Sequence, residues 1–141
     1  MLAGCSVPTV ARMETIADTP RKRHVLIVDD NAELAGFFLE ILKLHGYEAT
    51  VMTDAVFALK YLLSHPIDAV ICDLQMPTLD GDLFFATVER AKPELVRRFI
   101  FVTGVAADAR FHKFISTVEA PVLRKPVPME SLLAAVQRVA Q

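Results

Sequence analysis

Five polar positions in this chain stand directly after apolar runs: the acid pair Asp29-Asp30, a third acid Asp73, the hydroxyl of Thr103 and the ammonium of Lys125. Three carboxylates brought within about 5 Å repel one another by several kcal/mol per pair at an effective dielectric near 20, so a shared site needs a cation among them. Magnesium suits Asp29, Asp30 and Asp73, because it takes one or two carboxylates plus phosphate oxygens and keeps several waters. Lys125 supplies a second, point-like charge for a phosphate or for Asp73 itself. With both cations present, a carboxylate can attack a phosphoryl group and hold it as an aspartyl phosphate. The Thr103 hydroxyl can then donate a hydrogen bond to a phosphoryl oxygen.

Each residue also has a plainer reading. Asp29 or Asp30 could cap a helix, Thr103 could be a turn residue, and Lys125 a solvated strand end. Gly81 could supply a backbone angle before a helix. All of these readings hold at once only if several unrelated coincidences of position coincide, so the chemical reading is preferred.

The elements that must position these residues follow from periodicity. An apolar run Val25–Val28 precedes Asp29-Asp30, and Asn31 can cap a helix whose apolar positions Leu34, Phe37, Phe38, Ile41 and Leu42 recur at three and four. Gly46 is a suitable stop for that helix. A strand near Glu48–Met52, a helix from Asp54 to about Ser64 and the strand Ala69–Cys72 come next. Then follow a helix at about Asp82–Lys92, a strand Arg98–Val102, a helix at roughly Asp108–Val118, a strand Val122–Arg124 and a helix Met129–Val139. Five strand–helix units predict an α/β fold, a parallel sheet with helices on both faces. Strands one, three and four are almost wholly apolar, as strands buried on both faces are. Ligands of such sheets gather at the carboxyl ends of the strands, where all the singled-out residues fall.

Composition bounds the rest. With 53% hydrophobic positions over 141 residues, one domain can bury a sizeable core. A net charge of −2 advertises neither nucleic acid nor a membrane surface. Glu33, Glu40 and Lys43 interrupt the greasiest segment, so no apolar run reaches the roughly 18 residues of a membrane span. The expectation is a soluble, cytoplasmic protein. Cys5 and Cys72 have neither metal-site spacing nor disulfide density, and Cys72 reads as a small buried hydrophobe. Leu2-Ala3-Gly4-Cys5 looks like a lipobox but lacks the basic and apolar stretch a signal needs, so it is read as chance. Residues 1–22 read as a flexible tail before a domain at 23–141. Arg21-Lys22-Arg23 reads as a solvated edge, and Met13 as an alternative start.

From His24 to Gln141 the chain resembles the receiver domain of two-component response regulators. VLIVDDN at Val25–Asn31, DLQMPTLDG at Asp73–Gly81, VTG at Val102–Gly104 and LRKP at Leu123–Pro126 carry the resemblance. It implies a flavodoxin-like, doubly wound five-stranded sheet of order 2-1-3-4-5. It implies Asp73 as phosphoacceptor, taking a phosphoryl group from a sensor histidine kinase or a histidine phosphotransfer protein. Asp29 and Asp30 are then the magnesium-binding acids, helped by Asp73 and the backbone carbonyl of Gln75, while Thr103 and Lys125 sense the phosphoryl group. A cis Lys125–Pro126 bond is also implied.

Departures from the pattern bear on the output. Val122 stands three residues before the lysine, where the family usually places a rotating aromatic; a valine has no ring to swing and a stiff side chain. Output is then expected through the Gly104–Val118 loop and helix or through another face. Gly104 stands where alanine is frequent, which predicts a mobile loop, and Gln75 and Val105 occupy positions that tune hydrolysis in the family. RRFIFVTG and EAPVLRKP resemble receivers of hybrid histidine kinases and some free-standing receivers. The expected output is protein–protein interaction with an unidentified target, without direct nucleic-acid binding or enzymatic turnover, and homodimerisation is left open. The alternatives are a receiver fragment of a hybrid histidine kinase and a magnesium-dependent phosphohydrolase forming an aspartyl phosphate. The latter would place a second acid where Gln75 stands. A flavodoxin-like cofactor binder would need a phosphate-cradling loop where Asp29-Asp30-Asn31 is acidic.

Overall fold

A computed structural model describes residues 21–104 and 109–141. Five strands, β1 (His24–Val28), β2 (Glu48–Met52), β3 (Ala69–Asp73), β4 (Phe99–Thr103) and β5 (Val122–Arg124), form one parallel sheet of order β2-β1-β3-β4-β5. The helices are α1 (Ala32–Leu44), α2 (Ala55–Ser64), α3 (Gly81–Ala91), α4 (His112–Thr117) and α5 (Met129–Val139). A short 3₁₀ helix, Pro93–Arg98, sits between α3 and β4.

Alternation along the strands sorts the core into two layers. Leu26, Val28, Val70, Cys72, Phe99 and Phe101 face α2, α3 and the start of α4, meeting Leu62, Phe84, Val88 and Phe111. Val25, Ile27, Ala69, Ile71, Ile100 and Val102 face α1 and α5, meeting Phe38, Leu42, Leu132 and Val136. β1, β3 and β4 are thus covered on both sides, and Cys72 is a fully buried free thiol, as the apolar runs predict.

Local chemistry fixes the helix entries and exits. The Asn31 side chain accepts from the Leu34 N–H, capping α1, and Asp54 accepts from Val56 and Phe57, capping α2. Gly46 ends α1 with φ +88°, a conformation that disfavours any side chain. The Lys125–Pro126 bond is cis.

Four expectations need correction. β3 and β4 each run one residue further than the apolar pattern, so Asp73 and Thr103 are terminal strand residues still held in the ladder, Asp73 opposite Val102 and Thr103 opposite Arg124. The helix expected at roughly Asp108–Val118 is interrupted: Ala109 and Arg110 are helical, Phe111 is not, α4 then runs to Thr117 and Val118 is already extended, while Asp108 lies outside the described residues. The 3₁₀ turn was not expected; Pro93 starts it as a residue that needs no N–H partner at a helix entry. Arg21 is more than a solvated edge, since its guanidinium makes a two-pronged contact with Asp68 at 2.9 and 3.1 Å. Cys5, Met13 and Val105 lie outside the described residues.

Candidate functional site

The carboxyl ends of β1, β3, β4 and β5 converge because the sheet order places β1 and β4 on either side of β3, with β5 beyond. Asp29 follows Val28, and its backbone N–H donates to the Met52 carbonyl, which holds it at the sheet rim. Its carboxylate accepts from the Asn31 N–H at 2.9 Å, so the chain curls back over it as α1 begins. Asp29 and Asp73 are buried and Asp30 is exposed. Oxygens of the three carboxylates all lie within 4.8 Å of one another.

Asp73 is gripped from two sides. The Gln75 N–H reaches its Oδ1 at 3.4 Å, and Lys125 Nζ stands 3.4 Å from Oδ2. Both contacts are long for charge-assisted bonds, so the carboxylate is guided without being tightly held. Burial pushes its pKa up to about 6, the neighbouring Asp29 charge adds to this, and Lys125 and the Gln75 N–H oppose it. Burial also raises Asp29, against the Asn31 N–H and Lys125. An all-oxygen, anionic donor set under this electrostatic pressure fits a hard divalent cation such as magnesium.

Thr103 is fully buried, and its hydroxyl makes a weak 3.3 Å bond to the Gly104 carbonyl. The Lys125 N–H donates to the Thr103 carbonyl at 2.8 Å, tying the ends of β4 and β5 together. All the residues singled out from the sequence, Asp29, Asp30, Asp73, Gln75, Thr103 and Lys125, therefore surround one rim. Val122 lies opposite Phe101 in the ladder. The aromatic volume on this face comes instead from a ring cluster of Phe85 on α3, Phe99 and Phe101 on β4, and Phe114 on α4, with centroids 5.1–5.8 Å apart where Phe85 and Phe114 meet their neighbours.

Gly81 has a different reason from the backbone angle expected of it. Its φ is not positive, but a Cβ there would stand 2.6 Å from the Asp73 carbonyl oxygen and 2.9 Å from Leu74 Cα. The loop after β3 packs directly against the strand end, with the Gly81 N–H bonded to the Leu74 carbonyl at 2.8 Å.

Two residues at the rim escaped the sequence reading. Asp80 precedes α3 without capping it; its Oδ1 instead accepts from the Met76 N–H at 3.1 Å, closing the loop. Its Oδ2 meets Arg110 Nη2 at 2.6 Å. Asp80 was legible only as part of DLQMPTLDG, and a partner 30 residues away in sequence carries no local signal.

The sheet order, the rim of acids and the lysine define a doubly wound α/β module with an acidic, cation-demanding rim, and comparison with known proteins places it. The response regulator receiver domain family matches residues 25–137, and the chain belongs to that family of two-component signalling domains. It is 25% identical over 83% of its length to the response regulator receiver protein CpdR of Brucella abortus, covering 96% of that protein. It is 33% identical to the sensor histidine kinase TmoS of Ectopseudomonas mendocina over 87% of the chain, which spans only 12% of that kinase. Among solved structures, a response regulator receiver protein from Pseudomonas putida superposes with a TM-score of 0.71 at 27% identity, covering 84% of this chain and 98% of the other. Receiver domains bind magnesium at an acidic pocket and interact with histidine kinases or phosphotransfer proteins. No helix among the described residues is long and apolar enough to cross a membrane.

Proposed function

We propose that Asp73 accepts a phosphoryl group from a phosphohistidine of a sensor kinase or phosphotransfer protein, and that the phosphorylated chain signals in the cytoplasm by binding a target protein. The observation that carries this reading is the placement of a buried carboxylate 3.4 Å from Lys125 Nζ and within 4.8 Å of two further acids. Asp29, Asp30 and Asp73, with the Gln75 carbonyl, would hold Mg2+. That ion supplies charge neutralisation for the phosphoryl oxygens.

An Asp73 carboxylate oxygen bonds to phosphorus as the P–N bond of the donor breaks, and the electron pair leaves on the imidazole nitrogen, which takes up a proton. Lys125 stays beside Asp73 and balances the charge the phosphoryl group brings. The Thr103 hydroxyl exchanges its weak bond to the Gly104 carbonyl for a phosphoryl oxygen, a charged and therefore stronger acceptor. That exchange links the site to the segment after β4. It biases an equilibrium between two conformations by its differential interaction with them.

Incubation with magnesium and acetyl phosphate, followed by intact mass, tests the proposal. One added phosphoryl group that disappears in Asp73→Asn is expected. Sustained turnover of many phosphomonoesters would instead mark a phosphohydrolase, and an unmodified protein would reject the assignment of Asp73.

A further inference from the structure

Beside the carboxylate trio lies a cleft of about 420 Å³ lined by Asp30, Gln75, Met76, Pro77, Asp80 and Arg110. It opens onto the reacting centre, since Asp30 belongs to the trio and Gln75 donates its N–H to Asp73. Asp30 and Asp80 would repel an entering phosphoryl donor, and Arg110 is the one cation among the described lining residues. Its guanidinium is 58% exposed and lies over the Phe111 ring at 5.1 Å. Among the described residues its hydrogen bonding uses one Nη, on Asp80, although the group carries a fork of donors that matches a phosphate. The arginine side of this pair faces solvent, where water and competing anions reach it, while the Asp80 carboxylate is only 15% exposed.

Building on the assignment of Asp73 as phosphoacceptor, we infer that Arg110 is a donor-binding residue, resting on Asp80 until it turns onto the anionic oxygens of the phosphodonor entering this cleft. Asp80 is then its competitor, which lowers affinity for the donor, and the loop-closing bond to the Met76 N–H keeps that competitor in place.

The two partners should therefore act in opposite directions, which a merely structural tie would not do. The test is the second-order rate constant for phosphorylation by acetyl phosphate with saturating magnesium, followed by intact mass on the full chain. Arg110→Met should lower it about tenfold, the size of one charge-assisted hydrogen bond, and flatten its dependence on salt. Arg110→Lys should restore most of the rate. Asp80→Asn, which keeps an oxygen for the Met76 N–H, should raise it about threefold. Should Arg110→Met fail to match the wild-type melting temperature, Arg110→Gln replaces it. Equal losses in the Arg110 and Asp80 variants, or no change in the Arg110 variants, overturn the inference while leaving Asp73 phosphorylated. A wild-type chain that gains no phosphoryl group overturns the phosphoacceptor reading and this inference with it.

Discussion

Strand β3 has an aspartate at each end, Asp68 just before it and Asp73 as its last residue, and both are only 5% exposed. Asp68 accepts two bonds from Arg21 and one from the His24 N–H at 2.8 Å, with Arg23 at 4.0 Å. Burial pushes its pKa up, but these donors and charges outweigh burial and hold it below the usual carboxylate range. Asp73 meets other acids, one lysine at 3.4 Å and a long N–H contact, and its pKa rises. Residue type and surface exposure are matched, so the two differ in how deeply the carboxylate sits and, above all, in the charges and donors around it. An acid buried with its counter-charges is a structural fixture, whereas one buried among acids is left needing a cation.

The comparison breaks most visibly in phosphorylation. Asp73→Asn should lose all phosphoryl incorporation from acetyl phosphate, while Asp68→Asn, at the far end of the same strand, keeps wild-type incorporation; intact mass reads both. Gly81→Ala should come next, costing about 1–3 kcal/mol in a urea melt because the new Cβ displaces the Asp73 carbonyl, and slowing phosphorylation with it.

Stability against pH sharpens the contrast further. Asp68 has a depressed folded pKa, so its contribution is present above the unfolded value near about 3.9 and fades as pH falls through the folded one. Asp68→Asn should therefore destabilise by about 1–3 kcal/mol at neutral pH, with a penalty that shrinks in acid. Asp73 has the opposite sign. Its contribution in magnesium-free buffer is fully present below about pH 4 and is lost as pH rises through about 6. Asp73→Asn should be more stable than wild type by about 1–2 kcal/mol at neutral pH, after allowing for screening at the rim, and should lose that advantage by about pH 4. Paired urea melts across this range check both slopes, and parallel slopes would contradict the contrast.

The site was legible because a doubly wound sheet turns strand ends into neighbours, so Asp29, Asp73, Thr103 and Lys125 could be placed together from apolar runs alone. The cap at Asn31 was legible for a similar reason, since its partner lies three residues away, whereas Asp54, read as the first helical residue, is the cap of α2. Contacts that join distant segments were not. Asp68 and Arg21 are separated by 47 positions and Asp80 and Arg110 by 30, and no periodicity selects one arginine over another. Gly81 was visible as a glycine, but whether it serves an angle or a close approach depends on where the Asp73 carbonyl lies. The break before α4 was also hidden, because Phe111 fits a helical pattern in sequence yet departs from helical geometry between the helical Arg110 and His112.

Strand β5 is three residues long, lies at the margin of the sheet and is bracketed by Pro121 and Pro126. Neither proline has an N–H to offer an incoming strand, and the exposed Arg124 between them adds charge. This margin is therefore a poor template for edge-to-edge growth between copies of the chain.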